Sequence, residues 1–379
     1  MKKLGLLVLS SAALFAACTS ETDVQNVSPK DAISFNTTLK GVTRTVYTNE
    51  TFDKFKVVAL GGNEQENFVD DVVKSNDSKW ATTGIHKWPT DGKQLSFFAY
   101  APTDLIPNDN IKTTFTTSPQ KLTFSPKSAL ADQQDIVTAF NTGSKENING
   151  VDLTFRHALT QIEILATNED VARYHVDVLG SKLVRVKSTG TMTFPNNANS
   201  AASWEVGEST DSYRDKLPAA IRLSATPQRV MRDGNNWMML PQQLTAWNKN
   251  EGGTNKGAYI AVLLRITQIS DGSVIYPEKD GNDVAVKFAY AAIPVATNWV
   301  IGHKYTYTLK FFGKGGGAGV IADELSDSTN PNDPDIDDEP KANWNNTMIG
   351  TAIIDGVINF NVTIEDWQDG TTTTETIEN

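Results

Sequence analysis

The 379-residue chain is 39% hydrophobic and 21% charged, with 45 Asp and Glu against 34 Lys and Arg, a formal net charge of -11. That acidic excess repels polyanions, so neither nucleic acid nor an anionic membrane face has an electrostatic reason to bind it. A single cysteine excludes an intramolecular disulfide, a Cys-based zinc site and an iron–sulfur cluster. The length predicts two or three domains, each large enough to bury a core.

The N-terminus reads as a secretory signal. Lys2 and Lys3 form a basic start, Leu4 to Phe15 an apolar stretch too short to span a membrane, and Ala16 and Ala17 a small-residue exit directly before Cys18. A signal that ends on small residues and then the chain's one cysteine has the pattern of a bacterial lipoprotein, cleaved before Cys18 and lipidated on its sulfur. Removal of residues 1–17 would delete Lys2 and Lys3 and take the net charge from -11 to -13. Residues 18–32 are polar and lack hydrophobic periodicity, which predicts a tether.

From residue 33 the pattern becomes alternation, with Ile33, Phe35, Thr37 and Leu39 on one face and Ser34, Asn36, Thr38 and Lys40 on the other, a half-buried strand. Similar alternations or short apolar runs predict strands at 55–60, 95–100, 121–124, 136–140, 159–166, 176–179, 183–186, 259–266, 284–289, 305–311 and 358–364. Turn signals such as Asp91-Gly92, Asn149-Gly150 and Asp271-Gly272 lie between them, and no dozen residues show a 3.6-residue period. The expected fold is therefore all-β, two antiparallel β-sandwiches in tandem. The division places one sandwich at 33–168 and the second at 169–379.

Within the second half, GKGGGAG at 313–319 predicts a glycine-rich hinge, and eight acidic residues without Lys or Arg at 323–339 predict a solvated continuation. Together they mark a connector at 313–345 that leads to a final strand within 349–367. In that strand Ile358, Phe360, Val362 and Ile364 alternate with polar residues and end at Trp367. Burial of those four side chains would supply a gross drive of about 6 to 12 kcal/mol, so the strand must dock somewhere.

Little points to catalysis. There is no Gly-x-Ser-x-Gly elbow, the only cysteine is assigned to lipidation, and His86, His157, His175 and His303 are scattered without metal-ligand spacing. The glycines of 313–319 lack the terminal Lys-Ser/Thr of a phosphate loop. Asp333, Asp335 and Asp337 match the first ligands of an EF-hand loop, but its glycine position is Asp338 and its bidentate glutamate position is Trp344. The expectation is no enzyme, no cofactor and no metal.

Ile33–Phe35 with Thr43-Arg44, Trp88-Pro89 followed by Leu95–Pro102, Asp135–Ala139, Phe155–Leu159, Met239–Gln242, Gly302–Leu309 and Ile358–Trp367 recur in an order and spacing that together resemble the fimbrillin family of Bacteroidota. The resemblance implies transthyretin-like β-sandwiches on a surface lipoprotein of the outer membrane, polymerised into a fimbrium. It further implies a protease cut after a basic residue, with Arg44 the candidate, that frees a first strand whose inward residues are Ile33, Phe35 and Leu39. A strand from the next subunit, with Ile358, Phe360, Val362 and Ile364 the candidate donor residues, would fill the groove. Implied partners are other pilus subunits, of the same or another kind, and a glycan or protein ligand on host or bacterial surfaces. The other reading is a monomeric glycan-binding surface lipoprotein, for which the eight Trp supply aromatic faces.

Overall fold

The computed structural model describes residues 31–40, 51–61, 66–76, 79–103, 111–114, 119–232, 234, 236–251, 257–277, 288–322, 349–354, 356, 358–367 and 372–377. These residues form strands, with a 3-10 turn at Leu130–Asp132 and no α-helix, so the fold is all-β. Cys18, Arg44 and the acidic residues 323–345 lie outside the described residues.

Seven strands close a barrel: β1 (Phe35–Leu39), β2 (Lys54–Gly61), β3 (Glu66–Asn76), β4 (Lys79–Thr82), β5 (Leu95–Ala101), β8 (Val137–Gly143) and β9 (Val151–His157), in spatial order β1-β4-β3-β2-β5-β8-β9. Its interior is rich in aromatic rings, with Phe35 edge-on to both Phe55 and Phe97, and Phe52 and Phe55 against Phe155. The outer face of β2 and β5 is buried as well, because Val58, Leu60, Phe98 and Tyr100 join a second core with Leu122, Phe124 and Met192. Two-sided burial explains why 55–60 and 95–100 read as continuous apolar runs instead of alternations.

That covering layer is a small sheet of β6 (Ile111–Thr114), β7 (Lys121–Phe124), β12 (Gly190–Thr193) and β13 (Ser203–Val206), in order β13-β12-β7-β6. Gly190 pairs with Phe124 and Thr193 with Lys121, so strands from either side of the expected 168/169 boundary share one sheet. The barrel is complete at His157, and the chain passes through Ala158 and Leu159 straight into the next sheet.

The remaining strands form two facing sheets. One contains β10 (Thr160–Asn168), β15 (Gln228–Arg229), β16 (Trp237–Met239), β22 (His303–Phe311), β23 (Asn359–Asp366) and β24 (Thr372–Ile377), with β10 parallel to β22, and β23 antiparallel to both β22 and β24. The other contains β11 (Tyr174–Lys187), β14 (Thr210–Arg222), β18 (Tyr259–Gln268), β19 (Val274–Tyr276) and β20 (Ala289–Pro294). Strands β17 (Gln242–Gln243) and β21 (Asn298–Trp299) make a short pair apart. Ile162, Ile164, Tyr307 and Phe360 on one side meet Val178, Ile260 and Val262 on the other in a single core.

Residues 313–319 differ from the expected hinge. Ala318, Ile321 and Ala322 are buried, Val320 bridges both Ala292 and Ala352, and Ile321 N donates to Thr351 O. A Cβ on Gly317 would stand 1.7 Å from the Ile354 carbonyl oxygen, so glycine there permits close backbone packing and does not confer freedom.

Glu163 on β10 ties three strands through Arg229 on β15, Lys304 on β22 (2.8 Å) and the Thr306 hydroxyl, which donates to it at 3.2 Å. Burial opposes its charge, but the hydrogen bond and attraction from Lys304, with Arg229 adding to it, hold its carboxyl below the ordinary range. A depressed carboxyl contributes stability that is present above its unfolded pKa and is lost as pH falls through the folded one. Glu163→Gln is therefore expected to lower unfolding free energy by about 1–3 kcal/mol at neutral pH. Urea denaturation should show that deficit shrinking in acid; a deficit independent of pH would contradict the ion-pair account.

Candidate assembly site

Strand β1 lies between two neighbours with unequal holds on it. Toward β9 it runs parallel in five consecutive pairs, Phe35 with Val151 through Leu39 with Phe155, and Lys40 N extends the ladder to Phe155 O. Toward β4 a single pair is formed, Phe35 with Trp80. Upstream, Ile33 N donates to His86 O, and the Asn36 amide donates to Asn149 O and to Asp152. Ile33, Phe35 and Leu39 are buried in the barrel core, while Ser34, Asn36, Thr38 and Lys40 are exposed. Residues 41–50, which carry Arg44, follow immediately and lie outside the described residues.

The strand expected to end the chain is followed by one more, β24, so β23 occupies an interior position. β23 makes eight pairs with β22, from His303 with Asp366 to Lys310 with Asn359, and six with β24. Ile358, Phe360 and Val362 are buried in the facing-sheet core, whereas Ile364 is only half-buried. One residue beyond the strand, Trp367 is buried again, but in the core shared with the barrel. β24 forms the edge, and Thr372, Thr373 and Thr374 are exposed on it.

The histidines have local surroundings. His86 Nε2 lies 3.0 Å from Asp71, and His303 Nδ1 lies 2.9 Å from Ile301 O. His157 and Asp135 pair at 2.7 Å with both side chains fully buried. Periodicity gave no hint of that pair, although both residues fall in segments that carry the family resemblance. Among the described residues no group of three or more His, Cys, Asp or Glu is placed to hold a metal ion. Of the seven described Trp, none is exposed; Trp80 and Trp204 are half-buried and the others buried.

Loss of a phenyl ring at the barrel centre should be severe. Phe35→Ala is expected to destabilise the protein by about 3–5 kcal/mol, and Thr38→Ala, on the exposed face of the same strand, by less than about 0.5 kcal/mol. Equal effects in chemical denaturation would mean that β1 is not seated as described.

The fimbrillin-like family model matches residues 43–326, a span that starts after β1 and stops before β23. The fimbrium subunit Fim1C of Phocaeicola vulgatus is 32% identical over 125 residues, which are 29% of this chain and 33% of that protein, so the match spans about a third of the relative's length. A crystal structure of a fimbrial protein from Bacteroides vulgatus aligns over 74% of this chain and 95% of its own, with TM-score 0.52 and 16% identity, a likeness of fold. The chain belongs to the fimbrillin-like family.

Proposed function

We propose that this chain is a surface lipoprotein that serves as a fimbrial subunit or adhesin and joins its neighbours by exchange of a β-strand. The observation that carries this reading is the seat of β1. It closes the barrel with one pair to β4 and a five-pair parallel ladder to β9, inserts three apolar side chains, and leads directly into the segment that contains Arg44. A cut after Arg44 would sever β1 from the barrel it closes. Its departure would leave an open ladder on β9 and pockets for alternate apolar side chains, the two elements of β-strand addition.

The occupant would come from the end of a neighbouring subunit. Phe360 and Val362 of β23 follow Ile358 at the two-residue spacing by which Phe35 of β1 follows Ile33, and Ile364 continues the row. Within one chain β23 is paired on both sides, so donation exchanges its home pairs for the neighbour's ladder. Cys18 would carry the lipid that holds the molecule to the outer membrane, and the role asks for no catalytic residue, cofactor or metal. Partners are further subunits of the same or another kind and a surface glycan or protein ligand. The glycan-binding monomer has less support, because no described Trp is exposed and only Trp80 and Trp204 are half-buried.

Limited trypsin on the mature protein, followed by mass spectrometry and negative-stain microscopy, tests the reading. Cleavage after Arg44 and the appearance of filaments are expected, and Arg44→Ala should suppress both. A disulfide between Thr306→Cys and Thr363→Cys, which face each other in the β22–β23 ladder, should leave the cut protein monomeric. Filaments from the locked, cut protein would show that β23 is not the donor; a cut protein that never polymerises would refute strand exchange.

A further inference from the structure

The two strands that such an exchange would move are tied to one buried point. His157, the last residue of β9, holds Asp135 through Nδ1 at 2.7 Å, and the indole of Trp367 stacks flat on its imidazole, with ring centroids 3.8 Å apart and planes within 6°. Trp367 follows the last residue of β23. Its backbone N donates to Gly302 O at 2.8 Å, and Gly302 N donates to Leu159 O at 2.9 Å, so backbone bonds link the same point to the chain that leaves β9. His157 Nε2, Asp135 Oδ1 and Trp367 Nε1 are buried without a hydrogen-bond partner among the described residues.

β9 itself depends on β1. Its register with β8 consists of two pairs, Val137 with His157 and Thr138 with Arg156, whereas β1 covers residues 151–155. Over Val151–Phe155 the paired register of β9 is with β1, and the Asn141 amide of β8 reaches Asp152 O beside it.

We propose that Asp135, His157 and Trp367 form an autoinhibitory latch, which keeps β23 in its own sheet while β1 is seated and releases it when β1 leaves. This rests on the reading that β1 is the displaced strand and β23 the donated one. With β1 in place, β9 is fixed along its length and presents His157 at the angle that a flat stack requires. Without β1 the strand pairs left on β9 are the last two with β8, the imidazole is less firmly oriented, and the stack, whose strength depends on ring geometry, weakens. Trp367 is the one buried anchor of the last strand that lies outside the facing-sheet core; Ile358, Phe360 and Val362 remain in the other. The latch thus delays donation by a subunit until its own groove is open, which prevents uncut subunits from polymerising.

Hydrogen–deuterium exchange on the full mature chain tests this without need of filaments. Trp367→Ala should speed exchange across 359–366 at least about tenfold while β11 and β18 keep their protection, and Trp367→Phe, which retains a ring, should stay near wild type. Leu39→Ala, which loosens β1 opposite Phe155, should speed exchange in β9 and β23 together. In the double variant the β23 effect should be no larger than that of Trp367→Ala alone, the sign of a shared pathway. Unchanged β23 exchange in Leu39→Ala, independent additive effects, or equal loss of protection in every sheet of Trp367→Ala would each overturn the latch. Failure of strand exchange alone would be seen differently, as intact coupling in a protein that gives no filaments after cleavage.

Discussion

The closure of the barrel on a five-residue strand is the constraint on which the rest of the structure depends. Seven strands can abolish their edges only if the first and last meet, and here they meet through β1, parallel to β9 and joined to β4 at one pair. Parallel pairing is slightly weaker per residue than antiparallel pairing, so the side chains contribute most. Burial of Ile33, Phe35 and Leu39 at about 1.5–3 kcal/mol each holds the strand by roughly 5–9 kcal/mol before ordering costs. That is enough to seat β1 firmly in the intact chain, and a strand of like pattern could replace it.

The same logic governs the other end of the chain. β23 occupies an interior position in its sheet, with three side chains in one core and Trp367 in another. The core that receives Trp367 is built from the outer face of the barrel, the small sheet that draws strands from both halves, and the chain that leaves β9. A change at the barrel closure therefore has a short path to β23, through residues in direct contact. The family match over residues 43–326 covers the scaffold between β1 and β23 and neither of those strands.

Much of the scaffold was legible in the alternation of apolar residues. Lys121–Phe124 and Tyr259–Gln268 form close to where the pattern puts them. The predicted strands at 176–179 and 183–186 are two parts of one 14-residue strand, interrupted by register shifts at Gly180 and around Arg185, whose φ is +57°. β14 is hidden from the hydrophobic pattern because Asp215 occupies an inward position, compensated by Arg232 at 2.8 Å, so the sequence looks polar where the strand is buried. Segment 313–319 packs where composition suggests a hinge, because composition does not separate glycine that confers freedom from glycine that permits contact. The place of β23 could not be read at all, since its own sheet and a neighbour's groove ask for the same alternation of apolar and polar residues. The inward set of β1, by contrast, follows from its period, and Ile33, Phe35 and Leu39 are the residues the barrel buries.

Strand exchange is tested most directly by the structure of the assembled form, resolved well enough to trace side chains beside β9. The account predicts that the ladder along Val151–Phe155 is occupied by a strand of the neighbouring subunit, with Phe360 and its alternating partners in the pockets that Phe35 and its partners fill in the single chain. Filaments in which every barrel is still closed by its own Phe35–Leu39 strand would contradict it.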